Sequence, residues 1–61
     1  MKNVGLELAL VYAWMKWNNA CQEALLEHFT MGEPTEETLT RVERLEDAYN
    51  HLVEAKRTHA T

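Results

Sequence analysis

The side chains with the most chemical potential in this 61-residue chain are three histidines, one cysteine and several carboxylates. His28, His51 and His59 are scattered, and none has a second histidine three or four residues away, as a metal site on a helix needs. Cys21 and His28 are two helical turns apart, about 10 Å, which is beyond hydrogen-bond reach. We therefore expect no catalytic residues, no cofactor and no metal ion.

Two carboxylate pairs have the spacing that acid–base chemistry could use. Glu23 and Glu27 share one helix face, as do Glu43 and Asp47. A wholly helical hairpin offers no concave pocket that would desolvate one carboxylate and raise its pKa. Serine is absent and the two glycines form no phosphate-binding loop. These acids are predicted to be surface charges, and the protein is predicted not to be an enzyme.

The chain has one clear break, between Thr30 and Pro34. Gly32 can adopt the left-handed conformation that ends a helix, and Pro34 cannot continue one. Thr35 can then cap a second helix. The sequence predicts an all-α fold in which helices at about residues 4–31 and 35–58 form an antiparallel hairpin, with residues 1–61 as a single domain.

The second helix carries a single apolar stripe, which needs one neighbour. Its members are Leu39, Val42, Leu45, Ala48, Tyr49, Leu52, Val53 and Ala55. The first helix carries two stripes. The stripe predicted to face the second helix comprises Leu6, Leu10, Ala13, Trp14, Trp17, Ala20, Cys21, Ala24 and Leu25.

The other stripe of the first helix, called here the outer face, comprises Val4, Leu8, Val11, Met15, Leu26 and Phe29. One neighbouring helix cannot cover both stripes. Continued through Asn18, Gln22 and Leu25 or Leu26, the outer face has the 4-3 spacing of a coiled-coil seam with two amides in its middle. These amides either pair across an interface and fix its register, or reach solvent.

Folding the chain about Gly32–Glu33 pairs Trp14 with Leu52, Trp17 with Ala48 and Tyr49, Cys21 with Leu45, and Ala24 with Val42. Large residues then alternate with small ones, as close packing prefers. Trp17 and Cys21 are predicted to be core residues, and the Cys21 thiol is expected to resist reagents until the protein unfolds.

The outer face is expected to pack against a second copy of the chain, giving a homodimeric four-helix bundle, because monomers seldom expose apolar patches of this size. The predicted partner-binding residues are Val4, Leu8, Val11, Tyr12, Met15, Asn18, Gln22, Leu26 and Phe29.

Charge and composition limit the partners further. Ten acidic against six basic residues give a net charge of −4, without the basic patch that nucleic-acid binding needs. The apolar run from Val4 to Trp17 would be about 21 Å long as a helix, too short for a membrane. A lone thiol is typical of a reducing compartment, so we expect a cytoplasmic location.

The leading expectation is a small non-catalytic interaction protein that binds and modulates or inhibits another protein, as many short acidic helical proteins of phages and mobile elements do. In length and hairpin shape the chain also resembles the Rop-type plasmid copy-number regulators, and that resemblance implies RNA or DNA binding by a hairpin dimer. A third possibility is a subunit of a hetero-complex, such as an antitoxin, whose different partner covers the outer face.

Overall fold

The computed structural model describes residues 4–60, with side chains through Thr58. Two helices, α1 (Val4–Met31) and α2 (Glu36–Ala60), lie antiparallel and form one rod with Cα extents of 48 × 14 × 12 Å. The predicted all-α hairpin is confirmed. The second helix starts one residue later and ends two residues later than predicted, and the side chain of His59 lies outside the described part.

The turn between the helices forms as the sequence predicts. Gly32 has a φ of +92°, and its N–H donates to the carbonyl of His28 at 3.0 Å, which is the simple left-handed helix stop. Thr35 caps α2, because its Oγ1 accepts from the Thr38 N–H at 3.2 Å. Glu36 and Glu37 occupy the first turn of α2, where the helix dipole favours negative charge.

Small residues form the centre of the contact between the helices. Ala20 is only 3% exposed, and Ala13 and Ala24, which share its side of α1, are half-buried. The rings of Trp17 and Tyr49 lie 5.6 Å apart between their centroids, as the expected register requires. The hairpin is therefore held by close approach at the alanines and by one aromatic pair beside them.

Three predicted core residues of α1 are not core residues. Trp14 and Leu25 are 50% and 56% exposed, and Cys21 is exposed. The buried side of α1 is centred on Ala13, Ala20 and Ala24, and the three misplaced residues lie about a quarter turn away from it. On α2, Leu39 and Ala48 are likewise exposed rather than buried. The stripe that meets α2 is thus narrower than predicted.

Candidate functional site

The outer face of α1 is uncovered along the whole helix. Its six residues range from 51% exposed for Met15 to 76% exposed for Phe29. It lies nearly half a turn from the buried alanines, so α2 cannot reach it. Because apolar residues lie on both sides of α1, the helix is only weakly amphipathic, whereas α2 has one apolar and one charged side.

The other predicted partner-binding residues lie in or beside this face. Tyr12 is exposed at its edge, with the Lys16 ammonium 5.5 Å from the centroid of its ring. Asn18 is half-buried and Gln22 is exposed. The structure therefore brings all nine predicted residues to one continuous side of α1.

One edge of the outer face carries four exposed residues at seven-residue spacing: Glu7, Trp14, Cys21 and His28. We call this edge the Trp14 flank. Beside it, an open groove runs between the helices, lined by Leu10, Trp14, Tyr49 and Val53, with Glu7 and Lys56 at its border. The exposed apolar surface therefore extends beyond the outer face into this groove.

The opposite edge of α1 is polar. Glu23 and Arg41 form an ion pair across the helices, with Oε2 and a guanidinium nitrogen 2.7 Å apart. Arg41 belongs to α2 and Glu23 to α1, so this pair joins the two helices. A second pair lies within α2, where Oε1 of Glu54 and a guanidinium nitrogen of Arg57 are 3.9 Å apart. Since both pairs are exposed, they contribute little to stability and mark a solvated side.

Glu27 is the polar residue whose role the sequence reasoning missed. It was predicted to be a plain surface charge, but it is half-buried and ties α1 to the start of α2. Its Oε1 accepts from the Thr35 N–H at 2.8 Å and lies 3.1 Å from the Thr35 hydroxyl, and its Oε2 accepts from the Thr38 hydroxyl at 2.7 Å. Thr38 is only 3% exposed. The sequence did contain one sign of this role, because the antiparallel register places Glu27 opposite Thr38.

These hydrogen bonds make the stability of the hairpin depend on pH. The Thr35 amide, followed by the Thr38 hydroxyl, holds the pKa of the Glu27 carboxyl below its ordinary value of 4.5. A depressed folded-state pKa means that the carboxylate stabilises the fold above about pH 4.5, and that this contribution is lost as the pH falls through the lower value.

We therefore expect Glu27→Gln to melt at a lower temperature than the parent at pH 7, because the amide keeps only one acceptor oxygen. The difference should narrow as the pH falls below about 4.5 and on through the lowered pKa of the folded state, where the parent carboxyl becomes protonated. Thermal unfolding followed by circular dichroism across this range measures it. Glu33→Gln, which changes an exposed carboxylate in the loop, is the control. A gap between Glu27→Gln and parent that stayed constant with pH would contradict the assignment.

The exposed position of Cys21 overturns the expectation of a protected thiol. In dilute native protein, Cys21 should react with a coloured disulfide reagent nearly as fast as it does in denaturant, since nothing in the hairpin covers it. The ratio of the two rates, followed by absorbance, is the measurement. Strong protection at the lowest protein concentration would show that the thiol is inside the hairpin after all.

Within the described residues, no group of three His, Cys, Asp or Glu side chains is placed to hold a metal ion. Over the same range, neither helix combines the length and the apolar character needed to cross a membrane.

Comparisons of this chain with protein-family models, with curated proteins and with solved structures find no match.

Proposed function

We propose that this protein is a non-catalytic interaction module that pairs through the outer face of α1 with a second copy of itself. In this proposal the resulting helical bundle binds and modulates or inhibits another cytoplasmic protein, in the manner of phage or mobile-element regulators. The observation that supports it is the uncovered apolar side of α1, with Val4, Leu8, Val11, Met15, Leu26 and Phe29 all more than half exposed.

Surface area supports a partner of considerable size. The chain exposes 5033 Å². A compact monomer of its mass of 7.1 kDa would expose about 4,100 Å². The excess of about 900 Å² is close to the ~800 Å² per partner that a standard stable interface buries. Covering one long side of the rod would therefore reduce the exposed area of each chain to about that of a compact monomer of the same mass.

The exposed side of α2 is the surface that remains for another protein. It faces away from α1 and carries four of the ten acidic residues of the chain, Glu36, Glu43, Asp47 and Glu54. In a bundle assembled through α1 this side stays in solvent. An acidic surface of this kind favours a partner with a basic patch, since complementary charge steers association.

RNA or DNA binding is the alternative, and the arrangement of charges favours it less. Of the basic residues on α2, Arg41 pairs with Glu23 and Arg57 with Glu54. The surrounding carboxylates would repel a phosphate backbone. A gel shift at low salt separates the two readings, because a complex with RNA or DNA that fades steeply with salt would favour the alternative.

Sedimentation equilibrium of the purified chain tests self-association. We expect a dimer at micromolar concentration that dissociates on dilution. A stable monomer over the whole range would overturn the homodimer and favour a hetero-complex, in which a different protein, such as a toxin held by its antitoxin, covers the outer face. An unchanged dimer after Met15→Glu would place the contact on another surface.

A further inference from the structure

This inference rests on the proposed self-association and gives it an orientation. The outer face of α1, continued through Asn18, Gln22 and Leu25, follows the 4-3 spacing of a coiled-coil seam from Val4 to Phe29. The Trp14 flank lies immediately beside this seam. A partner helix lying on the seam therefore also meets Glu7, Trp14, Cys21 and His28, which the hairpin itself leaves exposed.

We propose that two copies pair through the outer faces of α1 in antiparallel orientation, about a two-fold axis beside Met15 and Asn18. In this arrangement Trp14 of each copy covers Cys21 of the other. Glu7 of each copy lies beside His28 of the other.

The two ends of the seam match each other in this orientation, whereas its middle pairs Val11 with Gln22 and Met15 with Asn18 of the other copy. Turning α1 end for end about the point between Met15 and Asn18 places Val4 opposite Phe29 and Leu8 opposite Leu25. Near the ends of the helix, each pair of facing residues then combines a smaller apolar side chain with a larger one, or two side chains of equal size. The layers containing the two Asn18 amides are about 4.5 Å apart along the axis, close enough for the amides to pair across it.

The flank is matched in the same way. In antiparallel helix pairs, residues on one flank meet residues on the same flank of the partner, which joins position 7 to 28 and position 14 to 21. The large indole of Trp14 then lies on the small side chain of Cys21, and a carboxylate lies beside an imidazole that can donate to it. Side chains on helices lean toward the N-terminus, which brings these pairs closer together.

A parallel pair would lack these matches. It would join Trp14 to Asn19 and Cys21 to Leu26, and it would leave Glu7 beside Tyr12. The ends of the two helix dipoles would also lie side by side with like sign, whereas antiparallel dipoles attract. Size, charge and dipole therefore favour the antiparallel arrangement.

Orientation can be read from the pattern of disulfides in one variant. Leu8→Cys and Leu25→Cys are combined with Cys21→Ala, and the protein is oxidised with copper phenanthroline. Antiparallel pairing should join position 8 of one copy to position 25 of the other, whereas parallel pairing should join 8 to 8 and 25 to 25. Within one helix these positions are about 25 Å apart, so no internal disulfide can form.

Trypsin cuts after Lys16 and separates the two positions, so mass spectrometry of the linked peptides identifies the pairing. We expect mixed 8-to-25 peptides to exceed both symmetric kinds at least tenfold. The control variant combines Asn50→Cys with Cys21→Ala. Its single thiol lies on the exposed side of α2 and measures how much cross-linking arises from random collisions. Symmetric peptides in excess would overturn the orientation and leave self-association intact. A dimer in sedimentation with only collisional cross-linking would overturn the use of this face.

A charge exchange tests the flank without new thiols. Glu7→Lys alone and His28→Glu alone should each weaken the dimer about threefold or more at low salt. The two changes together should return the dissociation constant to within about twofold of the parent. Positions 7 and 28 are about 30 Å apart in one helix, so only contact between copies can produce this recovery. If the double variant instead lost as much dimer affinity as the two single variants together, the proposed contact between Glu7 and His28 would be overturned.

Discussion

Replacing Met15 with glutamate should weaken the proposed dimer at least about 100-fold, or about 2.7 kcal/mol in association free energy. Met15 lies at the middle of the outer face and is 51% exposed in the hairpin. Pairing two outer faces would bury the new carboxylate in a mostly apolar contact, where only the Asn18 amide of the other copy could donate to it, and it would do so twice because of the two-fold axis. Sedimentation equilibrium of parent and variant under the same conditions gives the two dissociation constants.

Asn50→Glu is the matched control, since it adds the same charge on the exposed side of α2. Asn50→Glu should change the dissociation constant only slightly, and added salt should reduce that change further. Circular dichroism at high protein concentration checks that Met15→Glu still forms helices, because Met15 does not line the contact with α2. Equal weakening by both variants would point to net charge rather than to burial at the outer face.

Replacing Trp17 with alanine should lower the free energy of unfolding by about 3 kcal/mol, as large-to-small changes in packed contacts do. Trp17 is half-buried and supplies one half of the aromatic contact with Tyr49. A domain of this size has a total stability on the order of 3–9 kcal/mol, so the loss is a large share. Urea unfolding at one fixed protein concentration measures it, because association also shifts the midpoint.

Trp17→Phe and Trp14→Ala sharpen this test. The phenylalanine variant keeps an aromatic ring against Tyr49 and removes a buried indole N–H that has no hydrogen-bond partner among the described residues. It should therefore cost much less than the alanine variant. Trp14→Ala should weaken the dimer more than the hairpin, because Trp14 is half exposed. A loss below about 1 kcal/mol for Trp17→Ala would show that the ring contact contributes little.

The turn and both helices could be predicted because local chemistry determines them. Gly32 ends α1 through a positive φ, and Thr35 caps α2 with its hydroxyl. Both effects depend on a few neighbouring residues and need no knowledge of the tertiary fold. The exposure of the outer face was also predictable, since the number of apolar residues around α1 exceeds what one neighbouring helix can cover.

The position of the contact on α1 could not be predicted as accurately. The prediction placed Trp14, Cys21 and Leu25 against α2 because they continue one apolar stripe of α1 and the antiparallel register sets Trp14 and Cys21 opposite Leu52 and Leu45. The structure instead centres the contact on Ala20, where two backbones can approach closely. The wide apolar surface of α1 offered several possible directions of approach, and periodicity alone does not choose between them.

Hydrophobic periodicity could not predict the contacts of Glu27 either, for a different reason. A helical pattern reports which residues share a face, but it does not report a hydrogen bond to an amide on another helix. Two i,i+4 carboxylates on α1 therefore looked equivalent. In the structure Glu23 pairs with Arg41 in solvent, whereas Glu27 accepts from Thr35 and Thr38. The two carboxylates therefore differ in their partners, because Glu23 binds a guanidinium and Glu27 binds the start of α2.

The contacts of Glu27 also have a consequence for domain swapping, which we expect them to oppose. A straightened loop would merge both helices into one long rod, and two such rods could exchange their second halves. Straightening would pull Thr35 and Thr38 away from Glu27 and would change the φ of Gly32. Because all of these contacts span few residues, the closed turn can form early in folding, before any encounter between chains. The proposed dimer would then assemble from closed hairpins, with little exchange of α2 between copies.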